Sequence, residues 1–283
     1  MTKKLIVNAD DFGRTHSVSA GILRAHHEGI VTSTTAMMNM PGVADDLRQA
    51  VAEAPNLGLG VHLTFTAGRP LLPVEWVSSL VDEHGHFLTQ TEILADPTRL
   101  NPDELASELQ SQIKTFQNVL ERSPDHLDAH HFVHIHPHLF AVYLDLANEL
   151  KLPLRIPFAR SAAELDNLDR LPRLADQLDK SQLEPLLRED WQLIAEYSLR
   201  APDQCLLSFY AEQATRDHLL DLFDTLPDGL TELMTHPGLA DDQLKAESSY
   251  NVQREKEIEI LTDPQVKARV EGLGIELVTF ALL

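Results

Sequence analysis

Short apolar runs alternate along this chain with segments whose apolar positions recur at helical spacing, and such alternation restricts it to architectures in which strands and helices take turns. The apolar runs cover residues 5–9, 31–38, 57–65, 126–130, 154–156, 206–209, 232–234 and 275–280. Between them, 17–29 carries Val18, Ile22, Leu23 and His26 on one helical face and ends at Gly29, a residue suited to a C-cap. Residues 41–54 and 137–151 read as further helices. At 101–121, Asn101-Pro102-Asp103-Glu104 combines an N-cap, a first-turn proline and an acidic first turn. Eight runs of this kind suit an irregular, TIM-barrel-like (β/α) barrel that takes up residues 1–283 as one domain; a doubly wound open sheet is the alternative. Residues 66–100, with Gly68, Pro70, Pro73 and Pro97, are expected to form a long insertion over the strand ends. Residues 160–200 are expected to be helical.

Composition narrows the partners. The 283 residues hold 44 acidic side chains against 23 Lys and Arg, a formal charge of −21, so long-range repulsion opposes nucleic acid and anionic membrane alike. A single cysteine, Cys205, forms no internal disulfide and points to a reducing compartment. The N-terminus lacks the apolar stretch of a signal peptide, and no apolar run approaches the roughly 20 residues that span a bilayer. The expectation is a cytoplasmic protein that acts on a small molecule.

Polar residues then collect where the apolar runs end. Asn8-Ala9-Asp10-Asp11-Phe12-Gly13 places two adjacent carboxylates after a strand, an arrangement that repels itself unless a cation or shared proton intervenes; one Asp as metal ligand and one as base would satisfy it, and an ordinary Asp-Gly turn is the plain alternative. His62 stands in an apolar, glycine-containing strand with the small residues Gly60 and Thr64 on its face, which leaves room beside the ring; a core histidine is the plain alternative. Six of the fourteen histidines fall within 126–138, and there His126, Asp128 and His130 share one strand face by period two. Imidazoles beside a carboxylate suit metal ligation, or a carboxylate-to-imidazole hydrogen bond that fixes a tautomer. His134, His136 and His138 read as a polar loop. Finally, Pro237 biases His236 toward an extended backbone at the end of the 232–234 run. Four such clusters at strand ends match the way barrel enzymes assemble their sites.

Taken together these residues resemble the YdjC-like carbohydrate deacetylase family, which includes the chitooligosaccharide (chitin disaccharide) deacetylases. The resemblance rests on residues 5–13, 29–36 and 60–62, on His126-Leu127-Asp128 with His130, His131, Val133 and His134, and on Leu154-Arg155-Ile156 and His236-Pro237. Ser248, Tyr250, Arg254 and Glu257 complete it. Ala129 departs from the serine common at that position, which bears on the substrate more than on the chemistry. The resemblance implies a hydrolase that removes an acetyl group from an N-acetylated mono- or disaccharide. Asp11, His62 and His130 would hold one divalent metal, Asp10 would be the general base and His236 the general acid. Asp128, His131, Arg155 and Asn8 would support the ligands or bind substrate. The family suggests Mg²⁺ and a homodimer, whereas two imidazoles and one carboxylate favour Zn²⁺ or another transition metal. Arg69, Arg155 and Arg160 could form a cationic subsite for a 6-phosphorylated sugar. The competing readings are a metal-dependent sugar isomerase or phosphoesterase on a similar barrel, and a histidine-rich protein that binds metal or carbohydrate without catalysis.

Overall fold

The computed structural model describes residues 2–158 and 180–283. A parallel sheet organises it, built from β1 (Lys3–Phe12), β2 (Ser33–Ala36), β3 (Gly58–Leu63), β4 (Leu127–Ala129), β5 (Gln204–Leu206), β6 (Gly229–Thr235) and β7 (Glu276–Leu277). The strand order is β4-β3-β2-β1-β6-β5, with β7 against β1. On one side of β1, β7 pairs with Lys4 and Leu5 while β2 takes the later stretch from Asn8 to Phe12. Residues Leu5 to Phe12 of β1 are all buried, as expected of a central parallel strand covered on both faces.

The helices start where local chemistry dictates. Helix α1 (His16–Glu28) is capped by the Thr15 hydroxyl, which accepts the Val18 N–H; α2 (Val43–Glu53) follows a left-handed Gly42. Helix α3 (Gln90–Ala95) opens on a Thr89–Glu92 capping box, and α4 (Pro102–Leu120) on Asn101, whose side chain accepts from Asp103 and Glu104. Then come α5 (Pro137–Leu150), α6 (Lys180–Ala195), α7 (Arg216–Asp224), α8 (Asp242–Glu247), α9 (Gln253–Leu261) and α10 (Pro264–Gly272). The helical expectation for 160–200 is met over 180–195, in α6, while 196–200 leave the helix; its earlier part, with Arg160, lies outside the described residues. Among the described residues no helix is long and apolar enough to cross a membrane.

The sheet curls into a half-barrel. Leu154 makes a single parallel bridge to Leu127 at the β4 edge, and its N–H donates to the Arg200 carbonyl on the approach to β5. From the neighbouring position, Arg155 reaches Asp10 on β1 and Glu232 on β6 at 2.7 Å. A side chain from beyond β4 meets strands that far along the sheet order only if the sheet bends round on itself.

The expected strand at 31–38 is reduced to Ser33–Ala36 and that at 206–209 lies instead at Gln204–Leu206, and two more shrink. Residues 154–156 contribute only the one bridge, where the Arg155 N–H donates to the Leu127 carbonyl while its side chain turns inward to its carboxylates. After the two residues of β7 the chain turns into a 3₁₀ segment, Phe280–Leu282, and Phe280 stacks on the His126 ring at 3.6 Å and 6°. His126 is fully buried there, and Gly60 makes room for it.

The insertion at 66–100 consists of 3₁₀ turns and α3, and α4 pins it to the sheet. Glu108 accepts the N–H groups of Leu71 and Leu72, both at 3.0 Å. One turn on, Gln112 accepts the Thr64 N–H and donates to the Thr64 carbonyl, fixing the exit of β3.

A methyl group at Gly60 would lie 2.5 Å from His126 Cε1 and 2.8 Å from the His126 carbonyl oxygen. Gly60→Ala is therefore expected to lower unfolding stability by about 1–3 kcal/mol, the usual cost of overpacking. Chemical denaturation checks this; an unchanged midpoint would show that the ring has somewhere else to go.

Candidate active site

Adjacent residues on a regular strand point to opposite faces. Asp10 and Asp11 escape this rule because the β1–β2 register shifts between Ala9 and Phe12 and Asp11 adopts φ 71°. Both carboxylates consequently face the interior, almost fully buried. At the end of β4 a second left-handed turn, His131 (φ 65°) and Phe132 (φ 55°), swings the chain away, leaving His130 pointing at Asp11 with the His131 ring stacked on it at 3.7 Å. Non-glycine residues held at positive φ cost conformational energy, and here they aim functional groups.

Asp10 is clasped by Arg155 through two hydrogen bonds of 2.7 Å and accepts from the Asn8 amide at 2.9 Å. Burial pushes its carboxyl up, but the charge and hydrogen bonds of Arg155, with His62 and His236, outweigh it and hold the group at about 2. Arg155 also lies 3.0 Å from Asp128 and 2.7 Å from Glu232. Asp128 in turn accepts from Thr35 at 2.9 Å and holds His62 Nδ1 at 2.7 Å.

Among the described residues, two sets of side chains are spaced to surround a cation: Asp11, His62 and His130, and Asp10, His62 and Asp128. The second already contains the Arg155 guanidinium. In the first, Asp11 Oδ1 is buried and receives no hydrogen bond of good geometry. It lies 3.3 Å from His62 Nε2 and 3.1 Å from His130 Nδ1, and the two nitrogens are 3.2 Å apart. With His62 Nδ1 committed to Asp128, three electron-rich atoms converge on one point, spaced as ligands about 2.1 Å from a common centre would be. The donor set fits one divalent ion. The other Asp11 oxygen is tied to Arg254.

Protein charges alone treat the two imidazoles oppositely. Burial lowers both; at His62 it is outweighed by Asp128, Asp11 and Asp10, which push the ring up to about 10, whereas His130 stays down at about 4. A metal bound at this set would take the place of the His62 proton, because ligation requires the neutral ring.

His236 sits at the end of β6 with Nε2 3.9 Å from Asp10 Oδ2. Its backbone N–H donates to Glu257 at 2.5 Å, and burial, partly offset by hydrogen bonds from Tyr250 and the His236 backbone, pushes the Glu257 carboxyl up to about 7. Asp10, Asp11, His62, His130 and His236 open onto a cavity of about 1100 Å³ whose outer wall includes Arg69, His86, Phe87 and Gln90 of the insertion.

All the candidates named from sequence, Asn8, Asp10, Asp11, His62, Asp128, His130, His131, Arg155 and His236, thus meet in one region. Several assignments need correction. Arg155 is no phosphate subsite: it is buried and committed to three carboxylates, while Arg69 does line the cavity. His134 belongs to no polar loop but is buried, packed edge-on to Tyr143 at 4.6 Å, and His136 caps α5. His126 shares the face of Asp128 yet stacks on Phe280 and takes no part in either cation set. Thr35, Glu232 and Arg254 had been given no role. Glu232 was legible as an acid inside an apolar run, and Thr35 as a hydroxyl on the inward face of a strand. Arg254 entered only as part of the family resemblance, without a role, because its partner is 243 residues away.

Buried carboxylates and imidazoles at the C-terminal ends of a curled parallel sheet stand where enzymes of the α/β-barrel class carry their sites. The chain belongs to the YdjC-like protein family, whose profile matches residues 4–272. It is 37% identical over 287 residues to a carbohydrate deacetylase of Enterococcus faecalis, covering 99% of this chain and 98% of that protein. To a chitooligosaccharide deacetylase of Proteus mirabilis it is 32% identical over 285 residues, with 99% and 98% covered. A crystal structure from Enterococcus faecalis, provisionally described as a cellobiose-phosphate cleavage protein, superposes with a TM-score of 0.83 at 37% identity, covering 99% of this chain and 98% of that one.

Arg155→Met would leave Asp10, Asp128 and Glu232 buried without their cation, an expected loss of about 3–5 kcal/mol at neutral pH. Because Arg155 depresses the folded-state pKa of Asp10, its contribution is present above the ordinary aspartate value of 3.8 and disappears as pH falls through about 2. Urea titrations across this range should show the gap between wild type and variant narrowing toward acid; a constant gap would contradict the pairing.

Proposed function

We propose that this protein is a metal-dependent carbohydrate N-deacetylase, which hydrolyses the acetamido group of an N-acetylglucosamine-containing mono- or disaccharide and releases acetate. The observation that carries the reading is the Asp11–His62–His130 convergence beside the Asp10–His236 pair. The names of the relatives in Enterococcus faecalis and Proteus mirabilis support the substrate class. On this reading Asp11, His62 and His130 hold the ion, which when bound polarises the acetyl carbonyl and acidifies the attacking water.

The chain's own groups do the rest. Arg155 and Asn8 keep Asp10 ionised and fix the plane of its carboxylate, so that it can accept the proton of the attacking water. Asp128 holds the His62 ring by Nδ1 and leaves Nε2 facing the ion. His236 Nε2, close to Asp10 on the cavity side, delivers a proton to the departing amine nitrogen. Of the six histidines in 126–138 only His130 enters a cation set among the described residues, which favours one ion per chain over a histidine-rich binding protein. Two imidazoles and one carboxylate favour Zn²⁺ or another transition metal over Mg²⁺.

An acetate-release screen over N-acetylated mono- and disaccharides, with and without a 6-phosphate, tests the activity. Elemental analysis is expected to find about one divalent ion per chain, lost in His62→Ala and Asp11→Ala. Asp10→Asn is expected to keep the ion while turnover falls about 10²–10⁴-fold. Full turnover in Asp10→Asn, or metal retained by His62→Ala, would overturn the respective assignment.

A further inference from the structure

Three aromatic or heteroaromatic rings gather on the His236 side of the cavity. Tyr210 stacks on Tyr250 with centroids 4.4 Å apart and planes at 19°, and both present their rings edge-to-face to His236, at 5.3 and 5.7 Å. Tyr210 lines the cavity, whereas Tyr250 lies buried behind it. Tyr210 precedes Ala211, a non-glycine residue at φ 53°. Such a backbone persists only when its surroundings hold it.

The holding atoms form one chain of hydrogen bonds. The Ala211 N–H donates to Tyr250 Oη at 3.2 Å, Tyr250 Oη–H donates to Glu257 Oε1, and Glu257 Oε2 accepts the His236 N–H at 2.5 Å. Glu257 is fully buried on α9. The turn after β5 and the turn after β6 are thus tied to a single carboxylate, and through it to each other.

We propose that Tyr250 and Glu257 are positioning residues that brace His236 and Tyr210 as one unit, and that Tyr210 is the platform on which a pyranose ring of the substrate packs. The proposal rests on the deacetylase reading for its substrate. A sugar ring offers a face of C–H groups to an aromatic plane, and a tyrosine backed by a second ring is presented with little loss of rotamer freedom. With His236 beside it, the platform orients the ring whose acetamido group is cleaved, so that ring recognition and proton delivery share one support.

The test combines kinetics on diacetylchitobiose with amide hydrogen exchange. Tyr250→Phe keeps the stacked ring but removes the hydroxyl; it is expected to lower kcat about 10- to 100-fold, as a displaced catalytic group does, and to speed exchange at both the Ala211 and His236 amides. Glu257→Ala should do the same. Glu257→Gln should restore most of the rate, since its carbonyl can accept the His236 N–H while its amide donates to Tyr250 Oη. Tyr210→Ala is expected to raise KM about tenfold with a smaller change in kcat. Calorimetry of diacetylchitobiose on chelator-treated protein, where turnover is stopped, should show the same loss of affinity in Tyr210→Ala. Unchanged exchange at both amides in folded Tyr250→Phe would overturn the brace, and unchanged affinity in Tyr210→Ala would overturn the platform. Failure of the wild type to release acetate would overturn the deacetylase reading instead, with the brace then decided by exchange and the platform by calorimetry.

Discussion

Everything inside the curled sheet depends on one guanidinium. Arg155 is buried and faces Asp10, Asp128 and Glu232, each within 3.0 Å. Three carboxylates gathered in so dry a space would otherwise repel one another or take up protons, and a planar fork of five donors is the side chain best matched to several at once. The arrangement is costly to desolvate and gains its value from what it organises. It keeps Asp10 charged, it secures Asp128 under His62, and it bridges from the β4 edge to β1 and β6.

A second arginine makes a complementary division at Asp11. Arg254 occupies one oxygen and leaves the other facing His62 and His130. Each cluster thus contains a carboxylate paired with an arginine, and the Asp11–His62–His130 set is the one in which an acceptor oxygen remains without a good donor. The unfilled oxygen distinguishes the two clusters, a point that spacing leaves open, since the ligand atoms of the Asp10–His62–Asp128 group also lie within 4.8 Å of one another.

Much of the architecture was legible because its causes are local. Asn101-Pro102 starts a helix, Gly29 ends one, and an apolar run ending in Asn8, Asp10 and Asp11 reads as a buried strand leading into a polar site. The histidine cluster was harder to read. Period two correctly set His126, Asp128 and His130 on one face, but could not tell that Phe280, 154 residues on, would cover His126, or that His134 would turn into the core. Once the chain leaves β4 through two left-handed residues, periodicity no longer applies.

The sequence alone determined the alternating α/β plan, the strand ends that carry chemistry, and the residue types able to hold a cation and move a proton. Only the tertiary structure decided their partners: Arg155 for Asp10 rather than for a phosphate, Arg254 for Asp11, Glu257 and Tyr250 for the His236 turn. The physical reason is that capping, strand burial and turn formation are settled among near neighbours in the chain. Pairing of buried charges is settled by which groups the curl of the sheet brings within hydrogen-bonding distance, across separations such as the 145 residues between Asp10 and Arg155.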